Sequence, residues 1–532
     1  MLEYEKKLKG AFFTSGDVSH YLSDRVIERK TQTILEPSFG DGSFIDAIID
    51  RYIELGWKEH LKKNLYAVEI QESAISQYAN HPLLDSDKFI SSDFIAVEPF
   101  PVDIVIGNPP YIGLNKISKS ERERAKRLLS LNGFNMQSSG SLWFPFIIHS
   151  CAFLKNGGTL AFVLPFEVTY VRYSKQLWKY LSQHFSELTV VRVFEDIFPD
   201  VDVETVLLIA KGYSGSTNFV NYEIYDTRIH LFNGMMAKNV TISIESILSG
   251  ERPFVSNLLD TSHLQVINKL RSKGYIKPIS DFCKFKIGYV SADQTYFHPT
   301  TKEIKSFRIS DRDLIPSIAN AKVLKQKDIG LEIKPKQVET RLFYPKLAKP
   351  NHPYIKHGEK LGVHKRFKCR QRKPWYITPG IEIPDIILTV FGDKPRLYIN
   401  SGNYLASNSF LCGFLKQKTI SQRQVALSWY NSLTLLSIEM KVHSLGGGVL
   451  VFIPGETDKV EVLDPEKLNN VDKSFFTEID CLLKNSSLDD TYLLGDIYSL
   501  KAIGLSQNEI LLIQEAVQIL RKWRNSRLRK NL

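Results

Sequence analysis

Four consecutive residues, Asn108-Pro109-Pro110-Tyr111, are the stretch of this chain best equipped for chemistry. Each proline sets φ at about −65° and restricts the residue before it, so the turn is stiff. It holds two acceptors, the Asn108 side chain and the Pro109 carbonyl, in fixed places beside the flat face of Tyr111. Two acceptors next to a stacking ring suit the grip of a planar –NH2 group. The apolar run Ile104-Val105-Ile106-Gly107 in front of them reads as a buried strand, so the tetrapeptide stands where a strand ends.

Upstream, Thr33 to Phe44 reads as strand, tight glycine turn and helix. Gly40 and Gly42 let the backbone turn sharply and approach a ligand. Phe44-Ile45-Asp46-Ala47-Ile48-Ile49 has helical apolar spacing. The turn is of the nucleotide-binding kind but lacks the third glycine of the dinucleotide fingerprint. A second strand, from Asn64 to Ile70, carries Glu69 at its end, where doubly wound sheets typically hold ribose hydroxyls. A third leads to Ser92-Asp93-Phe94, an acid and an aromatic suited to an adenine amino group and ring. The fourth delivers Asn108. Polar residues after four successive strands point to one crevice at the switch point of a Rossmann-like α/β sheet with helices on both faces.

The order Glu36-Pro37-x-x-Gly40-x-Gly42, Val68-Glu69, Asp93-Phe94 and Asn108-Pro109-Pro110-Tyr111 resembles the S-adenosylmethionine-dependent N6-adenine DNA methyltransferases of type II restriction–modification systems, in the gamma arrangement. The resemblance covers residues 10–212. Gly10-Ala11-Phe12-Phe13-Thr14-Ser15 is similar to the family's N-terminal cofactor element, with Ser15 where the family usually has Pro. Gly140 to Phe146 and Ala161 to Pro165 are similar to its next helix and strand. Val193 to Pro199 resembles a late motif whose aromatic contacts a flipped base.

What the resemblance implies is an S-adenosylmethionine site built from Thr14, Glu36, Pro37, Gly40, Gly42, Glu69, Ile70, Asp93, Phe94, Pro110 and Phe146. It also implies catalysis by Asn108, Pro109, Pro110 and Tyr111, with the target base between Tyr111 and Phe198. A base inside a duplex cannot reach a deep crevice and must be flipped out. Transfer is then a direct displacement needing neither a metal nor a covalent intermediate. N4-cytosine DNA methylation, which uses the same chemistry, and methylation of a protein glutamine amide, whose enzymes also carry Asn-Pro-Pro-Tyr, are the alternatives.

With 532 residues the chain holds several units, and its formal charge of +11 suits a polyanionic partner such as double-stranded DNA. Five scattered cysteines without a Cys-x-x-Cys pair argue against a zinc site or a disulfide framework and fit a reducing cytoplasm. None follows a proline, which argues against covalent attack on cytosine C5. No apolar run is long enough to span a membrane.

The organisation expected is a catalytic domain over 1–240, a mixed α+β target-recognition domain over 241–480, and a helical C-terminal segment over 481–532 with a basic tail. Gly212 to Asn218 reads as a linker-like break. In the second region Lys365 to Tyr376 interleaves cations with aromatics, and Arg370, Arg372 and Trp375 are the candidates for DNA contact, the guanidinium groups set between Phe367 and Trp375. Ser506-Gln507-Asn508-Glu509 is a capping box that opens a last helix. A monomer working beside a separate restriction endonuclease is the expected context.

Overall fold

The computed structural model describes residues 16–78, 80–137, 140–195, 203–325, 329–346, 350–417, 419–445, 448–468 and 473–525. The chain divides into two compact units, Met1–Asn257 and Leu258–Leu532.

The apolar runs of the first unit form one nine-stranded mixed sheet. Its elements in chain order are α1 (Gly16–Val26), β1 (Ile34–Glu36), α2 (Ser43–Glu54), β2 (Leu65–Glu69), α3 (Glu72–Tyr78), β3 (Phe89–Ser91), β4 (Val102–Gly107), α4 (Lys119–Leu131), α5 (Trp143–Phe153), β5 (Leu154–Pro165), β6 (Phe185–Val193), β7 (Thr205–Tyr213), β8 (Phe219–Tyr225) and β9 (Lys238–Ser243). The strand order is β3-β2-β1-β4-β5-β7-β6-β8-β9. From β3 to β5 all neighbours are parallel; β7 runs antiparallel between β5 and β6. The chain winds outward from β1 to β3, then returns to lay β4 on the other side of β1. The reversal between β1 and β4 is the topological switch point, where open α/β sheets place ligands.

Burial on both faces explains the sequence pattern. Ile34, Ile104, Ile106 and Ala161 join Val18 and Leu22 of α1 and Ile45 and Ile48 of α2 in one core. The alternate residues Val105, Leu160 and Phe162 are also fully buried, and α5 packs on β4 and β5. Strands covered on both faces read as continuous apolar runs, as these do. A half-buried two-point ion pair, Arg25 to Glu223 at 3.0 and 3.1 Å, fastens α1 to β8.

The break expected at Gly212 to Asn218 is instead the turn from β7 to β8 within this sheet, because β8 pairs in parallel with β6. The expected boundary at 240 falls inside β9, whose pairing with β8 carries the first unit on to Asn257.

The second unit is mixed α+β. It contains α6 (Thr261–Ser272), β10 (Ile276–Pro278), β11 (Cys283–Ile287), β12 (Leu314–Ile318), β13 (Arg341–Phe343), β14 (Ile386–Thr389), β15 (Phe391–Gly392), β16 (Leu397–Ile399), β17 (Leu405–Ala406), β18 (Phe410–Leu415), α7 (Ser432–Lys441), β19 (Leu450–Val451), β20 (Glu461–Leu463), α8 (Lys473–Lys484) and α9 (Gln507–Arg524). The strands form small sheets, the largest being β11-β18-β14-β16.

The helices after residue 480 lie inside this unit. The capping box at Ser506 and Glu509 opens α9, which packs on α6 and α7. Basic residues at its end are committed to the interior. The Arg524 guanidinium donates to both oxygens of Glu439 at 2.7 and 2.8 Å and to Asp393 at 2.7 Å, and Arg521 also reaches Asp393. The tail beyond residue 525 is outside the described residues. No helix among the described residues is long and apolar enough to cross a membrane.

Candidate active site

The switch point gathers the candidate residues because each follows the carboxyl end of a neighbouring strand. Glu36 ends β1 and Glu69 ends β2; Asp93 follows β3 and Asn108 follows β4. The glycine turn lies among them. Gly40 and Gly42 have φ of 55° and 91°, in the left-handed region that favours glycine. A side chain at Gly42 would also strike the Tyr78 hydroxyl, which is held by Asp46 at 2.9 Å.

Glu69 shapes this turn. Its Oε2 accepts from the Gly40 amide at 2.9 Å, and its Oε1 accepts from the amides of Ile70 and Gln71 at 2.9 and 3.0 Å. Ile70 itself is 60% exposed, an apolar side chain held at the mouth of the turn. Glu36, by contrast, is fully buried. Its Oε1 accepts from the Ser38 amide at 3.1 Å. Its Oε2 is buried and receives no hydrogen bond among the described residues. Burial, with the nearby charges of Glu69 and Asp41, pushes the Glu36 carboxyl well above its ordinary range. Gly107 makes room for it, since a Cβ there would strike the carboxylate. Pro37 is buried beside it.

Ser38 joins the two halves of the crevice. Its hydroxyl donates to the backbone oxygen of Asn108 at 3.3 Å, tying the glycine turn to the start of the Asn-Pro-Pro-Tyr turn. Asn108 and Pro110 are half-buried and Pro109 is buried. Tyr111 is half-buried as a residue, yet its hydroxyl is enclosed. Burial and the charge of Glu167 push that hydroxyl well above its ordinary range. Glu167, just beyond β5, also accepts from Trp143 Nε1 at 2.8 Å and from the Tyr173 hydroxyl at 3.5 Å. Glu167 thus ties Trp143 and Tyr173 together near the Tyr111 hydroxyl.

Phe94 and Phe146 lie in contact, with ring centroids 5.1 Å apart, and Phe153 stacks on Phe94 at 5.3 Å. Asp93 caps the short turn that follows it, accepting from the Ile95 amide at 3.1 Å, and its other oxygen takes an ion pair from Arg124 of α4. Ser38, Glu167 and Arg124 escaped the sequence reading. Only Ser38 carries a local signal, its place two residues after Glu36 in the turn.

Two candidates, Thr14 and Phe198, lie outside the described residues. Arg370, Arg372 and Trp375 belong to the second unit, where the expected grouping changes. Arg370 is exposed and makes no ion pair among the described residues. Arg372 turns inward instead. It donates to the backbone oxygens of Val290 and Ser291 and sits over Phe297 at 5.8 Å, rather than between Phe367 and Trp375. Trp375 packs with Tyr296 and Phe297 at 5.6 and 6.4 Å, while Phe367 is exposed. The buried Cys369 and Tyr376 draw this segment inward and carry Arg372 with it.

Comparison with known proteins agrees with this architecture. Residues 49–198 match a family model described as "Eco57I restriction-modification methylase", and residues 251–500 one described as "Type II methyltransferase M.Eco57I, C-terminal domain". The Type II methyltransferase M.AccI of Acinetobacter calcoaceticus is 25% identical over 509 residues, covering 90% of this chain and 89% of its own length. The Type II methyltransferase M.HincII of Haemophilus influenzae is 33% identical over 165 residues, 31% of this chain and 29% of that one. Among solved structures, the Type IIL restriction-modification enzyme MmeI in complex with DNA shares the fold, with a TM-score of 0.53 at 13% identity over 96% of this chain and 72% of that one. With both halves matched in this way, the chain belongs to the type II restriction–modification DNA methyltransferases.

Proposed function

We propose that this enzyme transfers the methyl group of S-adenosylmethionine to N6 of an adenine flipped out of double-stranded DNA, at one recognition sequence. In this reading it protects host DNA in the cytoplasm, as a monomer, beside a separate restriction endonuclease. The observation that carries the reading is the hydrogen bond from Ser38 to the backbone of Asn108 at 3.3 Å, which brings the glycine turn and the amino-gripping turn to one crevice.

The residues present fit the cofactor. Glu69 would hold the ribose hydroxyls, with Gly40 and Gly42 allowing close approach. Asp93 would accept from the adenine amino group, with Phe94, Phe146 and Ile70 against the ring. The buried Glu36 carboxyl would ionise on approach of the cationic methionine end and accept from it through Oε2, with Pro37, Pro110 and Thr14 assigned to the same part of the cofactor. Bound there, S-adenosylmethionine supplies an electrophilic sulfonium methyl group.

The rest is done by the chain. The Asn108 side chain and the Pro109 carbonyl accept from the adenine amino group, turn its lone pair toward the methyl carbon and stabilise the positive charge that grows on nitrogen. Tyr111 and Phe198 stack on the flipped base; such stacking contributes about 1–3 kcal/mol and offsets part of the unstacking cost. Alignment supplies most of the acceleration. The second unit would read the sequence, with Arg370 at the DNA backbone.

The test is to sequence DNA from cells expressing the protein, with detection of modified bases. N6-methyladenine at one recurring motif is the expected result. N4-methylcytosine would transfer the same mechanism to cytosine, and unmodified DNA would overturn the reading.

A further inference from the structure

The acid that would recognise the cofactor's adenine is not held by its own turn alone. Asp93 Oδ1 accepts from the Ile95 amide at 3.1 Å. Its Oδ2 is engaged from the other side by Arg124, on the second turn of α4. The side chains are 21% and 41% exposed. Two anchors on the two oxygens fix the plane of a carboxylate, whereas one would leave it free to pivot. Helix α4 is itself well placed to serve as a rigid mount. Its start is closed by a reciprocal capping box between Ser118 and Glu121, and it packs on both the Phe94–Ala96 turn and α5. The helix also follows directly in sequence from the Asn-Pro-Pro-Tyr turn, so the residue that steadies the adenine acid comes from the catalytic side of the crevice.

We infer that Arg124 is a positioning and specificity-determining residue for the cofactor: it fixes Asp93 so that its remaining acceptor capacity meets the 6-amino group of adenine. The inference rests on the assignment of Asp93 to adenine made above. A carboxylate has about four lone-pair sites on its two oxygens; the Ile95 amide and Arg124 take two, which leaves room for an amino donor. A purine with a carbonyl oxygen at position 6 would instead face the fixed negative carboxylate. The Arg124–Asp93 pair therefore sets a preference for an amino group over a carbonyl.

The experiment compares binding of S-adenosylhomocysteine and S-inosylhomocysteine to the full-length protein by calorimetry. The unmodified protein is expected to prefer the adenosyl ligand at least tenfold. Arg124→Ala should reduce that preference about three- to fivefold, the upper part of what loss of a partly exposed pair gives, while inosyl affinity stays within twofold. Arg124→Lys should keep most of the preference. An unchanged preference in Arg124→Ala would overturn the inference. So would an equal loss of affinity for both ligands, which is what a merely structural role predicts. If the unmodified protein binds both ligands equally, the assignment of Asp93 to adenine fails together with this inference. If it binds neither, the methyl-donor reading itself is wrong.

Discussion

Removing the Glu69 carboxylate should separate the role it has, holding the glycine turn, from the one proposed for it, holding the cofactor. Of its roughly four lone-pair sites, three are taken by the amides of Gly40, Ile70 and Gln71, at 2.9, 2.9 and 3.0 Å. Oε1 serves two of them and Oε2 one, so Oε2 retains capacity for a ribose hydroxyl. A hydrogen bond to a charged group is worth about 1.5–3 kcal/mol. At about 1.4 kcal/mol per tenfold, Glu69→Ala should weaken S-adenosylhomocysteine binding roughly 10- to 150-fold. Loss of the three amide contacts should lower stability as well, by about 1–3 kcal/mol. Glu69→Gln retains one acceptor oxygen but turns an –NH2 group toward one set of amides, so its affinity should also fall.

Calorimetric titration measures the affinity and thermal unfolding the stability. A 2′,3′-dideoxyribose analogue distinguishes direct from indirect loss. It should bind the unmodified protein more weakly by a similar factor and lose little more in Glu69→Ala, as expected when two changes remove one interaction. Unaltered affinity for S-adenosylhomocysteine in Glu69→Ala would refute the reasoning. A full additional loss for the dideoxy analogue would show that Glu69 acts through the turn and not on the ribose.

Asn108→Ala should lower methyl transfer by roughly 10²–10³-fold, the scale set by removing one group that stabilises transition-state charge, with cofactor affinity nearly intact; single-turnover transfer at more than a tenth of the normal rate would contradict it. Glu36 has its pKa raised by burial and by Glu69 and Asp41, so the folded protein favours its protonated form: the stability it contributes is full below its unfolded-state pKa and is lost as pH rises through the raised folded value. Glu36→Gln should therefore flatten the fall in melting temperature between those two values, and an unchanged pH profile would count against it. Exposed Arg370 and inward-turned Arg372 should behave differently: Arg370→Ala should reduce the salt slope of DNA binding by about 0.9 without changing stability, whereas Arg372→Ala should lower the melting temperature. Equal effects of the two on the salt slope would refute the distinction.

The residues that stand at the switch point were legible because they are written in short local patterns. A stiff Asn-Pro-Pro-Tyr turn, a glycine turn and acids at strand ends are each set by neighbours a few residues away. The apolar run of β4 likewise announced a buried strand. Much less was legible in the second unit, whose short strands resemble loops in sequence and owe their form to partners far along the chain, as β14 does to β18. Gly212 to Asn218 looked like a linker because turn residues have the same composition whether the strands beyond them pair or part; the pairing of β8 with β6 decided it.

The decisive contacts of the site are long-range in the same sense. Ser38 meets Asn108 across 70 positions and Arg124 meets Asp93 across 31. Arg372, which the sequence offered to DNA, instead reaches back across 82 positions to Val290. From the sequence came the residue types and the strand ends on which they stand. Which of those residues touch, and which cations remain available, depended on sheet order and side-chain packing, because a charge or hydroxyl takes the nearest partner that folding brings to it.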